Sequence, residues 1–140
     1  MKKIKNKEVK IILLAVISLV IIYLLYSFLI FEIVSLNMHL NIENKVGFNI
    51  SKDYQEGIYF GTVPLGGSSS KEIFIQNKDY KRTRVVIKSY GNLKNWVSVS
   101  DNNFFLKQNE SKKIKVQVNV PANVKEEKYR GNLKIIFLRY

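Results

Sequence analysis

The stretch Ile11–Phe31, IILLAVISLVIIYLLYSFLIF, constrains this chain more than any other feature. It contains no Asp, Glu, Lys, Arg, Gly or Pro. A helix of that length spans roughly 31 Å, against a bilayer hydrocarbon core of about 30 Å. The expected organisation follows from it: residues 1–10 a basic cytoplasmic tail, 11–31 a transmembrane helix, and 32–140 one extracytoplasmic domain. The tail carries Lys2, Lys3, Lys5, Lys7 and Lys10 against Glu8. Positive charge flanking a span is retained in the cytoplasm, which places the C-terminal domain outside.

Two other uses of an apolar N-terminal run fit less well. A cleaved signal has a shorter apolar region and a small-x-small cleavage site, and Phe28–Leu36 (FLIFEIVSL) offers none. A pilin- or archaellin-like filament subunit would be processed just before the apolar run, commonly after Gly or Ala. The residues there are Lys7-Glu8-Val9-Lys10, with no small residue and no acid within the run. An uncleaved signal anchor is therefore expected.

The rest of the chain changes period. Val34, Leu36, Met38, Leu40 and Ile42 alternate with polar residues, as in a half-buried strand. No Gly or Pro separates this strand from the helix, so the domain should sit close to the membrane surface. Val46, Phe48 and Ile50 alternate briefly, and Ile58–Val63 is rich in β-prone residues. Pro64–Ser70 reads as a turn or loop, with Ser68-Ser69-Ser70 as its flexible part. Strands follow at 71–76, 82–90, 96–100, 104–106 and 112–120, and around Leu133, Ile135 and Phe137. The inward face of the 82–90 strand is left open, because Val85, Val86 and Ile87 are consecutive. Seven to eight short strands without a helical period predict an all-β, antiparallel β-sandwich behind one N-terminal helix. The chain has no cysteine, so the domain must stand on its packing.

Several motifs carry a family resemblance. Tyr59-Phe60-Gly61-Thr62-Val63-Pro64-Leu65-Gly66-Gly67-Ser68 resembles the "FG-x-V-x-x-G-x-S" opening of immunoglobulin-like sandwiches of the abnormal-spindle, hydin and major-sperm-protein type. Ile73-Phe74-Ile75-Gln76-Asn77 resembles their second strand with its terminal Asn. Phe105–Ser111 stands where they have "L-x-P-G-E-S", with Gln108-Asn109 in place of Pro-Gly. Val118-Asn119-Val120-Pro121 and Tyr129–Ile135 resemble the strands that follow, the last as "Y-x-G-x-L-x-I". The resemblance covers about residues 57–138. It implies an antiparallel immunoglobulin-like β-sandwich serving as a scaffold or binding module, and brings no catalytic residues.

The chemistry of the residues points the same way. His39 is the only histidine and there is no cysteine, so the three or four ligands of a usual zinc site are not at hand. No serine sits in a nucleophile elbow, Gly66-Gly67 lacks the Lys-Ser/Thr of a phosphate loop, and the acids are scattered. No enzyme activity, cofactor or metal is expected. The net charge of +12 leaves Lys81, Arg82, Arg84, Lys112, Lys113 and Lys115 as an anion- or partner-binding set. Their targets would be lipid head groups or an acidic surface polymer; nucleic acid is disfavoured outside the cell. Phe74, Ile136 and Leu138 are expected to point away from the core as an apolar interface. Asn49 and Asn109 open N-x-S sequons and are candidate glycosylation sites. The resulting expectation is a membrane-anchored surface subunit that binds an envelope or surface-filament protein, or itself. A filament subunit and a small-molecule or anionic-polymer binding module are the alternatives.

Overall fold

The computed structural model describes residues 6–43 and 57–139. One helix, α1 (Asn6–Leu29), precedes eight strands among these residues: β1 (Ile30–Ile42), β2 (Gly57–Val63), β3 (Ser68–Gln76), β4 (Arg82–Gly91), β5 (Val97–Val99), β6 (Phe104–Lys107), β7 (Ser111–Asn119) and β8 (Lys128–Arg139). The apolar run Glu8–Leu29 is long and apolar enough to cross a membrane, and none of it is buried against the sheets. Within it, Ser18 Oγ is satisfied locally, donating to the Ala15 carbonyl at 2.8 Å. Ile30 and Phe31 belong to β1, because Ile30 is already in register with Leu138 of β8.

The strands form a five-stranded sheet of order β2-β1-β8-β4-β6 (sheet A) and a three-stranded sheet of order β3-β7-β5 (sheet B). Their apolar faces meet, giving an all-β, sandwich-like fold. Alternation decides which side chains go in: Met38, Leu40 and Ile42 from β1, Leu133, Ile135 and Phe137 from β8, and Ile114, Val116 and Val118 from β7 are buried. The ambiguous 82–90 strand resolves with Val85 and Ile87 inside and Val86 outside.

Two expectations need correction. The sheets are not wholly antiparallel: β1 and β2 run parallel, with Asn37 beside Gly57 and His39 beside Tyr59. A parallel return needs a connection of about a dozen residues or more, and the stretch 43–56 is long enough. Ser68–Ser70 are not a flexible turn but the start of β3, opposite Gln117–Asn119 of β7. Ser69 Oγ donates to the Phe60 carbonyl at 2.8 Å, which ties β3 to β2 just past the turn. That turn is closed by Gly67 N–H donating to the Pro64 carbonyl at 3.0 Å, and it carries the chain from one sheet to the other.

The β5–β6 connection returns the chain from sheet B to sheet A. Ser100 N–H donates to the Lys115 carbonyl at 2.9 Å on sheet B. Two residues later Asn102 bonds sheet A through both ends of its amide, accepting from Ile87 N–H at 2.7 Å and donating to the Ile87 carbonyl at 2.8 Å. A side chain here does the work of a strand backbone where β6 has not yet begun. The alternating run Val46, Phe48 and Ile50 lies outside the described residues.

Candidate functional site

The long strands β1 and β8 run the length of sheet A, so the sandwich has a helix end and a far end. At the helix end, rings and cations close on one another. The Arg139 guanidinium lies 4.5 Å from the ring centre of Phe28 on α1 and 4.5 Å from that of Phe31 on β1. Phe31 in turn stacks on Tyr80 at 3.8 Å with the rings 10° from parallel. Tyr80 is held by Asn77, which is buried. The Asn77 amide donates to the Tyr80 carbonyl at 2.7 Å and the Leu106 carbonyl at 3.2 Å, and accepts from Tyr80 N–H at 3.1 Å. Asn77 thus fixes the loop after β3 against the foot of β1. The direction in which α1 leaves the sheet is set by side chains from β1, β8 and the β3–β4 loop.

Next to this junction the outer face of sheet A is unusually apolar. Register places Ile33, Ile136 and Val86 in one row across β1, β8 and β4. A second row carries Leu138, Arg84 and Phe105 across β8, β4 and β6. Ile33 is 42% exposed and Phe105 39% exposed, whereas Ile136 and Leu138 are half-buried by their neighbours. Arg82 stands over the Phe105 ring at 4.6 Å, and Arg84 donates to Asn103 Oδ1.

The residues singled out from the sequence therefore divide between two surfaces. Lys81, Arg82 and Arg84 sit at the start of β4 or just before it, with Ile136 and Leu138 on the same sheet. Lys113, Lys115 and Phe74 are on the outer face of sheet B. There Phe74 is 72% exposed, with Lys113 Nζ 5.6 Å from its ring centre. Lys113 also pairs with Glu72 at 3.0 Å. Lys112 turns to the rim, pairing with Asp101 and standing 4.5 Å over the Phe104 ring. Asn109 is exposed in the β6–β7 turn at φ 63°, and its N–H donates to the Asn77 carbonyl at 2.6 Å. Asn49 lies outside the described residues.

The far end carries what sequence reading missed. A hollow of about 320 Å³ opens on the outer face of sheet A, over β2, β1 and the start of β8. It is built from two cross-strand rows, Tyr59–His39–Arg130 and Thr62–Asn41–Lys128. Tyr59 and Thr62 are three residues apart and would face opposite ways on a regular strand. A bulge opposite Leu40 corrects this: β2 spends one more residue than β1 between the two rows. Gly61 supplies the left-handed backbone it needs, at φ 80°. The signal was present as a glycine inside a β-prone run. The His39 and Tyr59 rings stack at 4.7 Å, 7° from parallel.

No family model matches the chain, and no curated protein is significantly similar to it. The resemblance to the abnormal-spindle type thus has no family match behind it. Among solved structures, the DraE adhesin, determined in complex with chloramphenicol succinate, aligns at 12% identity over 80% of this chain and 99% of its own. The TM-score is 0.44, a likeness that carries no argument about fold or binding. No group of three or more His, Cys, Asp or Glu suited to a metal ion occurs among the described residues.

Proposed function

We propose that this chain is a membrane-anchored, non-catalytic interaction subunit whose β-sandwich is held against the outer face of the membrane spanned by α1. The observation that carries the reading is the junction. α1 ends at Leu29 and β1 begins at Ile30, and Arg139 packs on rings from both elements. A flexible tether would let the domain swing; this one fixes which face lies beside the bilayer. Aromatic and arginine side chains at the end of an apolar helix also suit the interfacial layer of a membrane. The basic residues before the helix support an outside orientation for the domain.

The face so positioned is the helix-end half of sheet A, with the rows Ile33–Ile136–Val86 and Leu138–Arg84–Phe105. It fits a second membrane-associated protein that presents an apolar strip with acidic borders, matching Arg82 and Arg84. The sandwich is of immunoglobulin type in this reading. The β3–β7 and β4–β8 pairs stand where that fold has its B–E and C–F pairs.

A photo-crosslinking residue placed at Ile33 or Val86 in the full chain, in cells, tests this. One envelope protein should dominate the adducts from those positions, and Gln117 on the outer face of sheet B should yield little. Adducts of this chain with itself alone would replace the partner by a homo-oligomer. Absence of any adduct from Ile33 and Val86, with the protein monomeric in detergent, would sink the proposal.

A further inference from the structure

We infer that the far-end hollow on sheet A is a binding site for an acidic saccharide, a sugar ring carrying a carboxylate. The inference goes beyond the interaction reading and does not depend on the position of α1. It rests on the two cross-strand rows. Each row runs from a hydroxyl-bearing side chain on β2, through His39 or Asn41 on β1, to a cation on β8.

Lys128 and Arg130 have no carboxylate partner within salt-bridge distance among the described residues, unlike Lys112 and Lys113. They are two residues apart on β8, so both stand on the outer face. A planar guanidinium beside an ammonium is suited to a carboxylate, which the former can grip through two parallel bonds. The His39 and Tyr59 rings stack on one another, so the flat, weakly polar shelf beside those cations is the other face of the His39 ring, on the side of Arg130. Such a shelf accommodates the C–H face of a sugar ring, which a bare inorganic anion would leave unused. Asn41 and Thr62 add polar atoms beyond the shelf. The Asn41 amide nitrogen donates to Glu43 Oε1 at 2.5 Å and lies 3.4 Å from Thr62 Oγ1, leaving its carbonyl oxygen for a sugar hydroxyl.

Two acids stand near the rim: Glu43, engaged by Asn41, and Glu127, engaged with the Tyr129 hydroxyl. Tyr129 lines the hollow from β8. Burial, and then Glu127, push its hydroxyl above the usual phenol range, so it stays protonated. It donates to the Lys125 carbonyl at 3.2 Å. The volume is at the small end for a ligand site, which suits one sugar unit at a time of a longer polymer.

The bulge strengthens the case. A regular β2 would turn Thr62 toward the core; the extra residue and the positive φ of Gly61 keep Tyr59 and Thr62 on one face. Bulges are over-represented at sheet edges, where β2 lies, and next to active sites, where they re-aim a side chain as this one does.

The test is a titration of the detergent-solubilised full chain with an oligogalacturonate, a neutral malto-oligosaccharide of the same length, and inorganic phosphate. Heat of binding is the main readout. Fluorescence of Trp96, the single tryptophan, is a second, since its ring lies 4.7 Å from that of Tyr129. The acidic oligomer should bind best. Arg130→Gln and Lys128→Gln should each weaken it about tenfold, the scale of one lost charge-assisted bond. Lys71→Gln on sheet B should change nothing. Unchanged thermal melting of the variants would show that they fold. Equal binding of the neutral oligomer would show that the cations are unused, and equal binding of phosphate that the ring shelf is unused. Either result overturns the inference, as does no binding of the acidic oligomer, or binding that both charge variants retain in full.

Discussion

The two ends of sheet A are built from the same residue types and put them to opposite uses. At the helix end an arginine lies between two phenylalanines, a tyrosine stacks on one of them, and a buried asparagine ties that tyrosine's backbone in place. The groups there are spent on one another. At the far end a histidine and a tyrosine stack, but the neighbouring lysine and arginine have no carboxylate partner among the described residues. A structural cation is told from an available one by its neighbours. Composition does not separate Arg139 from Arg130; what lies across the strand does.

The largest effect expected is at the closed end. Asn77→Ala removes three hydrogen bonds and leaves the Leu106 carbonyl without its side-chain donor in the interior. A buried polar group left unpaired costs about 1–3 kcal/mol. The loss should thus be roughly 3 kcal/mol in urea unfolding of the full chain in detergent, a large share of a typical domain's stability. Lys128→Gln and Arg130→Gln should stay within about 0.5 kcal/mol. Equal losses at both ends would mean that the far-end cations are as structural as Asn77.

Arg139→Gln comes next. Each cation–ring contact is worth about 0.5–1 kcal/mol when exposed, so the variant should lose roughly 1–2 kcal/mol. Its sharper signature is geometric. Spin labels at Tyr23 on α1 and Ser98 on β5 should give a narrow distance distribution in the parent and a broader one in the variant. A distribution equally narrow in both would mean that the ring contacts do not set the helix direction.

Gly61→Ala probes the open end. A Cβ there meets nothing within 4 Å, so the cost is the backbone's alone. A left-handed L-residue costs about 1–2 kcal/mol, and a chemical melt should show a loss of about that size. If the bulge relaxes instead, stability is kept, but Thr62 turns inward and oligosaccharide binding falls. Either result ties the hollow to Gly61; a variant with both properties intact would detach it.

Much of this architecture was legible in the sequence, and the reasons are local. The alternation from Val34 to Ile42 and from Ile114 to Val120 is period-two patterning, and β1 and β7 follow it. The β6–β7 turn tolerates Asn109 at positive φ in place of glycine, as the side chain allows. What was not legible depends on contacts distant in sequence. The parallel pairing of β1 with β2 needs a partner assignment that no short window holds. Ser68–Ser70 look like loop residues until β7 is set beside them. The basic set divides because Arg82 and Lys113 belong to different sheets, and sequence distance says nothing of that. The far-end hollow escaped for the same reason: His39, Tyr59 and Arg130 come from three separate stretches, with only Gly61 hinting at a bulge.

The smallest expected effect lies at neither end but at the rim, where Asp101 meets Lys112. The hydrogen bond from Lys112 holds the Asp101 carboxyl below its usual value of 3.8. Desolvation works against this, while the Lys112 charge and the Asn102 N–H assist it. The sign follows from linkage. A carboxyl whose folded pKa is depressed stabilises the fold at pH values above its unfolded pKa, and that stability is lost as pH falls through the folded pKa. Both side chains are about two-fifths exposed, at 39% and 43%, so solvent and salt screen the pair. Lys112→Met keeps an unbranched chain over the Phe104 ring and removes the charge. A carboxyl titration followed by NMR should place the Asp101 midpoint below the ordinary aspartate range in the parent and within it in the variant. An unmoved midpoint would mean that Lys112 is free in solution. Lys112 would then join Lys128 and Arg130 among the available cations, and the rim would belong with the open end of the molecule.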